Sequence, residues 1–240
     1  MLHKSILLTS LLFCFTAYAK DNSHTIAHIE EASGISYCQN SNTLMVANDE
    51  GTFYELSLDG AILASHKLGD YDLEGVVCHD DKIAFGVENK GLLIVNRDTL
   101  KQKHLKLKGK KFKLSKKAGI EGLAYHNGIY YLAIQTKKAK DAKILLVKAT
   151  KNYAKITKIL DHGIIDTAGL QYIDKHLYMV SDKKNTLYIY SLKTNTITKQ
   201  VKLDKFAQEG IAIVGNDVYF ADDDGTVKRY TVQELRLGGM

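Results

Sequence analysis

Glu74-Gly75-Val76-Val77 is one of five segments built on a single plan. Ser33-Gly34-Ile35-Ser36, Glu121-Gly122-Leu123-Ala124, Ala168-Gly169-Leu170-Gln171 and Glu209-Gly210-Ile211-Ala212 are the others. Their glycines, at 34, 75, 122, 169 and 210, stand 41, 47, 47 and 41 residues apart. A period in the forties with this much strand character is that of a β-propeller blade. Each unit then reads strand, tight turn, strand, turn, strand. In the first, Gly34–Cys38 is followed by Thr43–Asn48, Thr52–Leu58 and Ala61–Leu68. Asn127-Gly128 and Asp59-Gly60 have the composition of type I′ hairpin turns.

The fifth unit ends after three strands, Ile211–Val214, Asp217–Ala221 and Thr226–Val232. His24–Ile29 alternates like a strand and belongs to no repeat. Pairing it beside the last unit supplies the missing strand and covers an open edge. The expectation is an all-β chain: a single propeller of five four-stranded blades over residues 20–240, closed by strand 24–29. Eighteen Gly, fourteen Tyr and no Pro among 240 residues suit such a protein, its turns made by Gly and Asx chemistry.

Residues 1–19 read differently. Lys4 precedes the predominantly apolar run Ile6–Thr16, and Ala17-Tyr18-Ala19 is a small-x-small cleavage site. The run is too short to span a bilayer and reads as a secretory signal peptide. A periplasmic or secreted location is therefore expected, with a soluble mature chain. Phe13 before Cys14 is unlike a lipoprotein signal, in which a small residue precedes the cysteine.

Antiparallel first and second strands bring the start of one and the end of the other to the same rim of the channel. Directly before the repeat glycines stand Glu74, Glu121 and Glu209, and three residues before them stand Glu31, Asp72 and Asp166. Ends of second strands carry Glu88, Gln135, Asp182 and Asp223, with Asp49 in the first repeat. Ten carboxylates are thus expected at one mouth of a protein whose net charge is +6. Crowded carboxylates raise one another's pKa unless protonated, screened or neutralised by a cation. An all-oxygen donor set suits a hard cation, Ca²⁺ before Mg²⁺. No His-Cys spacing indicates zinc. Glu74, Glu121, Glu209 and Glu88 form the innermost candidate group. Acids at strand ends also serve turns and neighbouring backbone amides, which leaves the structural role of each open.

Glu31-Ala32-Ser33-Gly34-Ile35, Asn48-Asp49-Glu50-Gly51, Asp72-Leu73-Glu74-Gly75-Val76 and Val87-Glu88 together resemble the SdiA-regulated (YjiK/CarP-like) family of exported β-propeller proteins. The resemblance implies a link to calcium handling, and some members are described as phytase-like. Ala168 departs from the pattern and interrupts the ring of glutamates.

Known catalytic signatures are absent: no G-x-S-x-G, H-E-x-x-H, P-loop or dinucleotide motif occurs. His79 and His126 fall at the far ends of first strands, and His162 is the histidine expected nearest the acidic rim. Nine lysines crowd Lys101–Lys117, where Leu105 and Leu107 alternate as on the outer strand of the second blade. This stretch is either a solvated edge protected by Lys or a surface for an anionic ligand or membrane. Export and the lack of interleaved aromatics argue against nucleic acid. Cys38 and Cys78 lie at similar depth on neighbouring first strands, facing the seam between blades one and two, as a disulfide or as two buried thiols. Three functions stay in view: a calcium-binding scaffold, a calcium-dependent hydrolase of phosphoesters or lactones, and an interaction propeller docking a basic partner.

Overall fold

A computed structural model describes residues 24–109, 112–115 and 118–238. The expected signal peptide, residues 1–19, lies outside them. Among the described residues every regular element is a strand apart from one 3₁₀ turn at Ala139–Asp141. β1 (Thr25–His28) precedes the first sheet, β2 (Ala32–Cys38), β3 (Thr43–Asn48), β4 (Thr52–Leu56) and β5 (Ile62–Lys67). The second sheet is β6 (Leu73–His79), β7 (Lys82–Val87), β8 (Gly91–Asn96) and β9 (Gln102–Leu105). After the short β10 (Leu107–Lys108) come β11 (Ile120–His126), β12 (Ile129–Ile134), β13 (Lys143–Ala149) and β14 (Ala154–Asp161). The fourth sheet holds β15 (Thr167–Ile173), β16 (His176–Ser181), β17 (Thr186–Ser191) and β18 (Thr196–Lys202). The last holds β19 (Gln208–Val214), β20 (Asp217–Asp222) and β21 (Thr226–Thr231), with β1 antiparallel to β21 as its fourth strand.

The five sheets stand in a ring, a five-bladed propeller, with β2, β6, β11, β15 and β19 each neighbouring the next around the axis. The repeat glycines make that closeness workable. A methyl group on Gly34 would stand 2.6 Å from the Glu74 carbonyl oxygen, and one on Gly210 would stand 2.6 Å from the Ile35 nitrogen. On Gly75 it would strike Leu123, on Gly122 the Ala168 carbonyl, and on Gly169 the Gly210 backbone. Outward from this ring, cores form where neighbouring sheets face each other. Leu73, Val76 and Phe85 of the second blade share one with Met45 and Phe53 of the first.

The third sheet has five strands rather than four. Its extra member, β10, pairs parallel to β14, Leu107 opposite Ala154. Leu105 and Leu107 therefore do not share an outer strand: the chain leaves blade two after Leu105 and lies along blade three. Leu107 packs there on the core shared by blades two and three, which alternation alone cannot distinguish from continued pairing in blade two. Asn127 and Gly128, at φ 45° and 79°, form the expected hairpin turn. At Asp59-Gly60 only Gly60 has positive φ, 91°, and its N–H donates to Ser57 O at 3.0 Å. That is a longer loop with a glycine bulge, not a two-residue turn.

Cys38 and Cys78 are joined as a disulfide between β2 and β6, their Cα atoms 5.1 Å apart. Among the described residues no helix is long and apolar enough to cross a membrane.

Because a backbone atom stands within 2.8 Å of each of these methyl positions, rotating a side chain aside cannot admit the methyl group. Gly210→Ala is expected to cost about 2–3 kcal/mol, read as a lower midpoint in urea unfolding. An unchanged midpoint would show that the ring has slack.

A carboxylate-lined channel mouth as candidate functional site

Each first strand carries a register irregularity at its repeat glycine: Ala32/Gly34, Leu73/Val76, Ile120/Gly122, Thr167/Leu170 and Gln208/Gly210. A bulge re-aims the side chain it contains. Glu74 and Glu121 occupy this position and are buried, at 8% exposure each. Glu209 stands there in the last blade and Ala168 in the fourth. In the first blade the same slot is Ser33, buried, its hydroxyl donating to the Leu73 carbonyl of blade two.

The second strands end at the same height. Asp49 N donates to Glu31 O (3.3 Å), Glu88 N to Asp72 O (3.2 Å), Gln135 N to Gly119 O (3.0 Å) and Asp223 N to Ala207 O (3.0 Å). Each acceptor lies three residues before its repeat glycine, so one bond recurs in four blades. In the fourth blade Asp166 uses its side chain, accepting from Lys183 N at 3.1 Å. Glu31 and Asp166, in equivalent places, both hold left-handed backbone, φ 50° and 53°. Asp tolerates that region better than Glu.

The structure brings all ten expected carboxylates into one electrostatic neighbourhood. Burial first, then Asp223 and Asp72, and last Glu31, push Asp49 up to about 7 against the opposing effect of the Ser33 hydroxyl. Burial and then Glu88, Asp166, Asp49 and Asp72 push Glu121 up to about 8. Glu74 is raised well above the usual carboxylate range by burial, then Glu121, Asp49, Asp72 and Glu209. Glu209 is raised likewise by burial, then Glu121, Asp182, Asp223 and Asp166. Asp182 and Asp223 are raised by burial and then by their acidic neighbours. Asp224, absent from the repeat pattern, adds its charge to both. The run Asp222-Asp223-Asp224 is the sequence signal that marks it, while Asp222 itself is turned away to Lys228 (3.5 Å) and Thr226 (2.8 Å).

Within the ring, one carboxylate oxygen from each of Asp49, Asp72 and Glu74 lies within 4.8 Å of the others. Among the described residues Asp49 Oδ1 is buried with no hydrogen-bond partner. The tightest group therefore belongs to the seam of blades one and two, and the expected grouping of Glu74 with Glu121, Glu209 and Glu88 is broader than that trio. Gln135 stands half-buried after β12 and is tied through its backbone.

His162 is buried, with Nδ1 accepting from Ile164 N at 3.3 Å and Nε2 without a partner among the described residues. Its charged neighbours are Asp161 and Lys143 rather than the mouth acids, and burial pushes it down to about 4. At the far end of the first strands, His79 stacks on Tyr125 and bonds to the Tyr130 hydroxyl at 2.5 Å, while His126 stacks on Tyr172.

The fold and this mouth define a five-bladed propeller whose channel opens through a carboxylate ring. The family model described as SdiA-regulated matches residues 14–145, more than half of the sequence, and the chain belongs to that family. No curated protein matches it. Among solved structures it is similar to the crystal structure of the glutaminyl cyclase of Myxococcus xanthus, with a TM-score of 0.66. The match is 13% identical and covers 87% of this chain and 94% of that one, a likeness of fold.

Raised carboxyl pKa values carry a definite pH dependence. Well below pH 4 the acids are protonated whether the chain is folded or not. Above that, the unfolded chain ionises while the folded mouth holds its protons, so folding stability falls as pH rises towards about 8. Between pH 7 and 8 histidine ionisation contributes little, since burial holds His79, His104 and His162 below the ordinary value and free histidine, at about 6.5, is already mostly neutral. In EDTA the melting temperature is expected to drop by at least ~3 °C across that window, and Glu74→Gln with Glu121→Gln should flatten the slope. A level or rising curve for the unaltered protein would contradict these shifts.

Proposed function

We propose that this protein is an exported, calcium-linked binding protein whose channel mouth holds a divalent cation, Ca²⁺ in preference to Mg²⁺. The observation that carries the reading is the trio Asp49, Asp72 and Glu74, one carboxylate oxygen of each within 4.8 Å of the others, in which Asp49 also has a buried Oδ1 with no hydrogen-bond partner among the described residues. The donor set is oxygen alone and the mouth is wide, which suits the larger and more adaptable ion. Glu121, Glu209, Glu88, Asp166, Asp182 and Asp223 surround the trio as further charge, with Gln135 as a neutral oxygen donor. A bound cation would offset the repulsion that raises these groups. Apolar residues before Ala17-Tyr18-Ala19 support delivery to an extracytoplasmic compartment, where calcium is an abundant ion.

An ion that binds only the folded ring stabilises it by mass action, by about 2.7 kcal/mol at a hundredfold excess over Kd. Saturating Ca²⁺ is expected to raise the melting temperature by about 5–10 °C. Asp49→Asn, Asp72→Asn or Glu74→Gln should remove most of the shift, while the exposed Asp98→Asn should keep it. Absence of any shift in the unaltered protein, or full retention in all three variants, would defeat the metal reading.

A second reading, hydrolysis or acyl transfer in the same mouth, is favoured by Asp49 at about 7 and Glu121 at about 8. Carboxyls in that range are suited to general acid–base work near neutral pH. The likeness to a glutaminyl cyclase adds N-terminal glutaminyl peptides to the substrates worth trying. A panel of phosphate esters, lactones, simple esters and such peptides, assayed with Ca²⁺ and with EDTA, tests it. Turnover that falls at least about tenfold in Glu121→Gln would support catalysis. Turnover indifferent to Glu121 and Asp49 substitutions would leave binding as the function.

A further inference from the structure

A cavity of about 550 Å³ lies where the turn between β7 and β8 meets the segment that leaves blade two for blade three. Its walls are of two chemistries. Lys90, His104, Lys106 and Lys113 line it together with the apolar Leu107, Phe112 and Leu114. The three apolar side chains are half-buried and pack against the core shared by blades two and three. Phe112, Lys113 and Leu114 alternate inward, outward, inward, so the apolar side is a floor and the lysines a rim.

The rim is under-neutralised. Among the described residues no carboxylate pairs with Lys106 or Lys113, and Lys90 sits over the Tyr71 ring, 5.5 Å from its centroid. Glu88, the mouth acid next to this turn in sequence, is engaged by the Asn89 side-chain amide. Burial, then Lys90 and Lys106, hold His104 below the ordinary histidine range. A half-open cavity of this size with an apolar floor and convergent cations matches small-molecule sites in general.

We propose that this cavity binds an anionic amphiphile, a phosphate or carboxylate head on an apolar chain, with the head among Lys90, Lys106 and Lys113 and the chain over Phe112 and Leu114. Such a head supplies the charge that the rim lacks, through charge-assisted hydrogen bonds. The chain covers apolar surface that half-buried residues leave to water. Lysine serves here as a mobile point charge, which suits heads of differing geometry.

Calorimetric titration of the purified protein with dodecyl phosphate below its micelle concentration, in EDTA, tests the proposal. Saturable binding is expected, weakened at least about tenfold by Lys106→Gln with Lys113→Gln. Inorganic phosphate and dodecanol, each holding half the ligand's chemistry, should bind at least about tenfold more weakly. Phe112→Ser should weaken the amphiphile alone. Because that residue also packs on the core, its melting temperature is compared, and the lysine pair, whose side chains are exposed, stands as the fold-neutral test. Sedimentation with phosphatidylglycerol vesicles, against phosphatidylcholine, identifies the source: lysine-dependent capture by the former marks a membrane lipid, and binding of only the soluble amphiphile marks a free one. Glu74→Gln should leave all of this unchanged, which separates the cavity from the cation-binding mouth. Failure of both dodecyl phosphate and anionic vesicles to bind, indifference to the lysine pair, or inorganic phosphate binding as tightly as the amphiphile would each overturn it.

Discussion

Backbone touching backbone around the channel axis is the constraint on which the molecule depends. Five glycines, one per blade, let each first strand lie against the next without a Cβ between them. A side chain at any of these positions would push two blades apart, and in a closed ring that displacement has nowhere to go. The same glycines coincide with the bulges of the first strands. Close approach and re-aimed side chain are thus two results of one local arrangement.

That coincidence explains why the mouth is so acidic and so costly. The residue before each glycine is turned into the channel by its bulge, and three of the five are glutamates. Burial and mutual repulsion then raise their pKa values, a state that works against folding at neutral pH. Features that reduce stability persist where function uses them. A ring that holds a cation, or holds protons for transfer, makes use of carboxyls kept out of their ordinary range.

Much of the architecture was legible because a propeller writes its period into the chain. The glycine spacing located all five first strands, and the unassigned strand at the N-terminus fell beside the unit that lacked one. The ten carboxylates followed from antiparallel geometry, since strand ends at one height share a rim. Other features depended on distances that no spacing encodes. Whether Cys38 and Cys78 joined depended on how near the axis they lay. The path of Leu107 into the third blade depended on which edge its side chain met first. His162 stood close in sequence to Asp166 but is taken by its own loop, with Asp161 and Lys143 as its charged company. The Asp49–Asp72–Glu74 trio was hidden for a related reason: its members are on two blades and come from three different pattern positions.

The seam between blades one and two is unlike the other four. At the mouth Ser33 replaces a glutamate and ties its hydroxyl to Leu73 O across the seam. Next to it Gly34 lies on the Glu74 and Gly75 backbone, and at the far end the disulfide joins β2 to β6. Three attachments hold these strands at three heights. The closest carboxylates of the ring, Asp49 against Asp72 and Glu74, gather at the mouth of this same seam. Repulsion there acts to spread the two blades, and the attachments resist it along the whole length of the strands. With blade separation fixed by covalent and backbone contacts, the carboxylate spacing is held whether or not a counter-charge is present. For the cation site we propose, a mouth so held would need little rearrangement on binding, and preorganisation of that kind reduces the cost of binding.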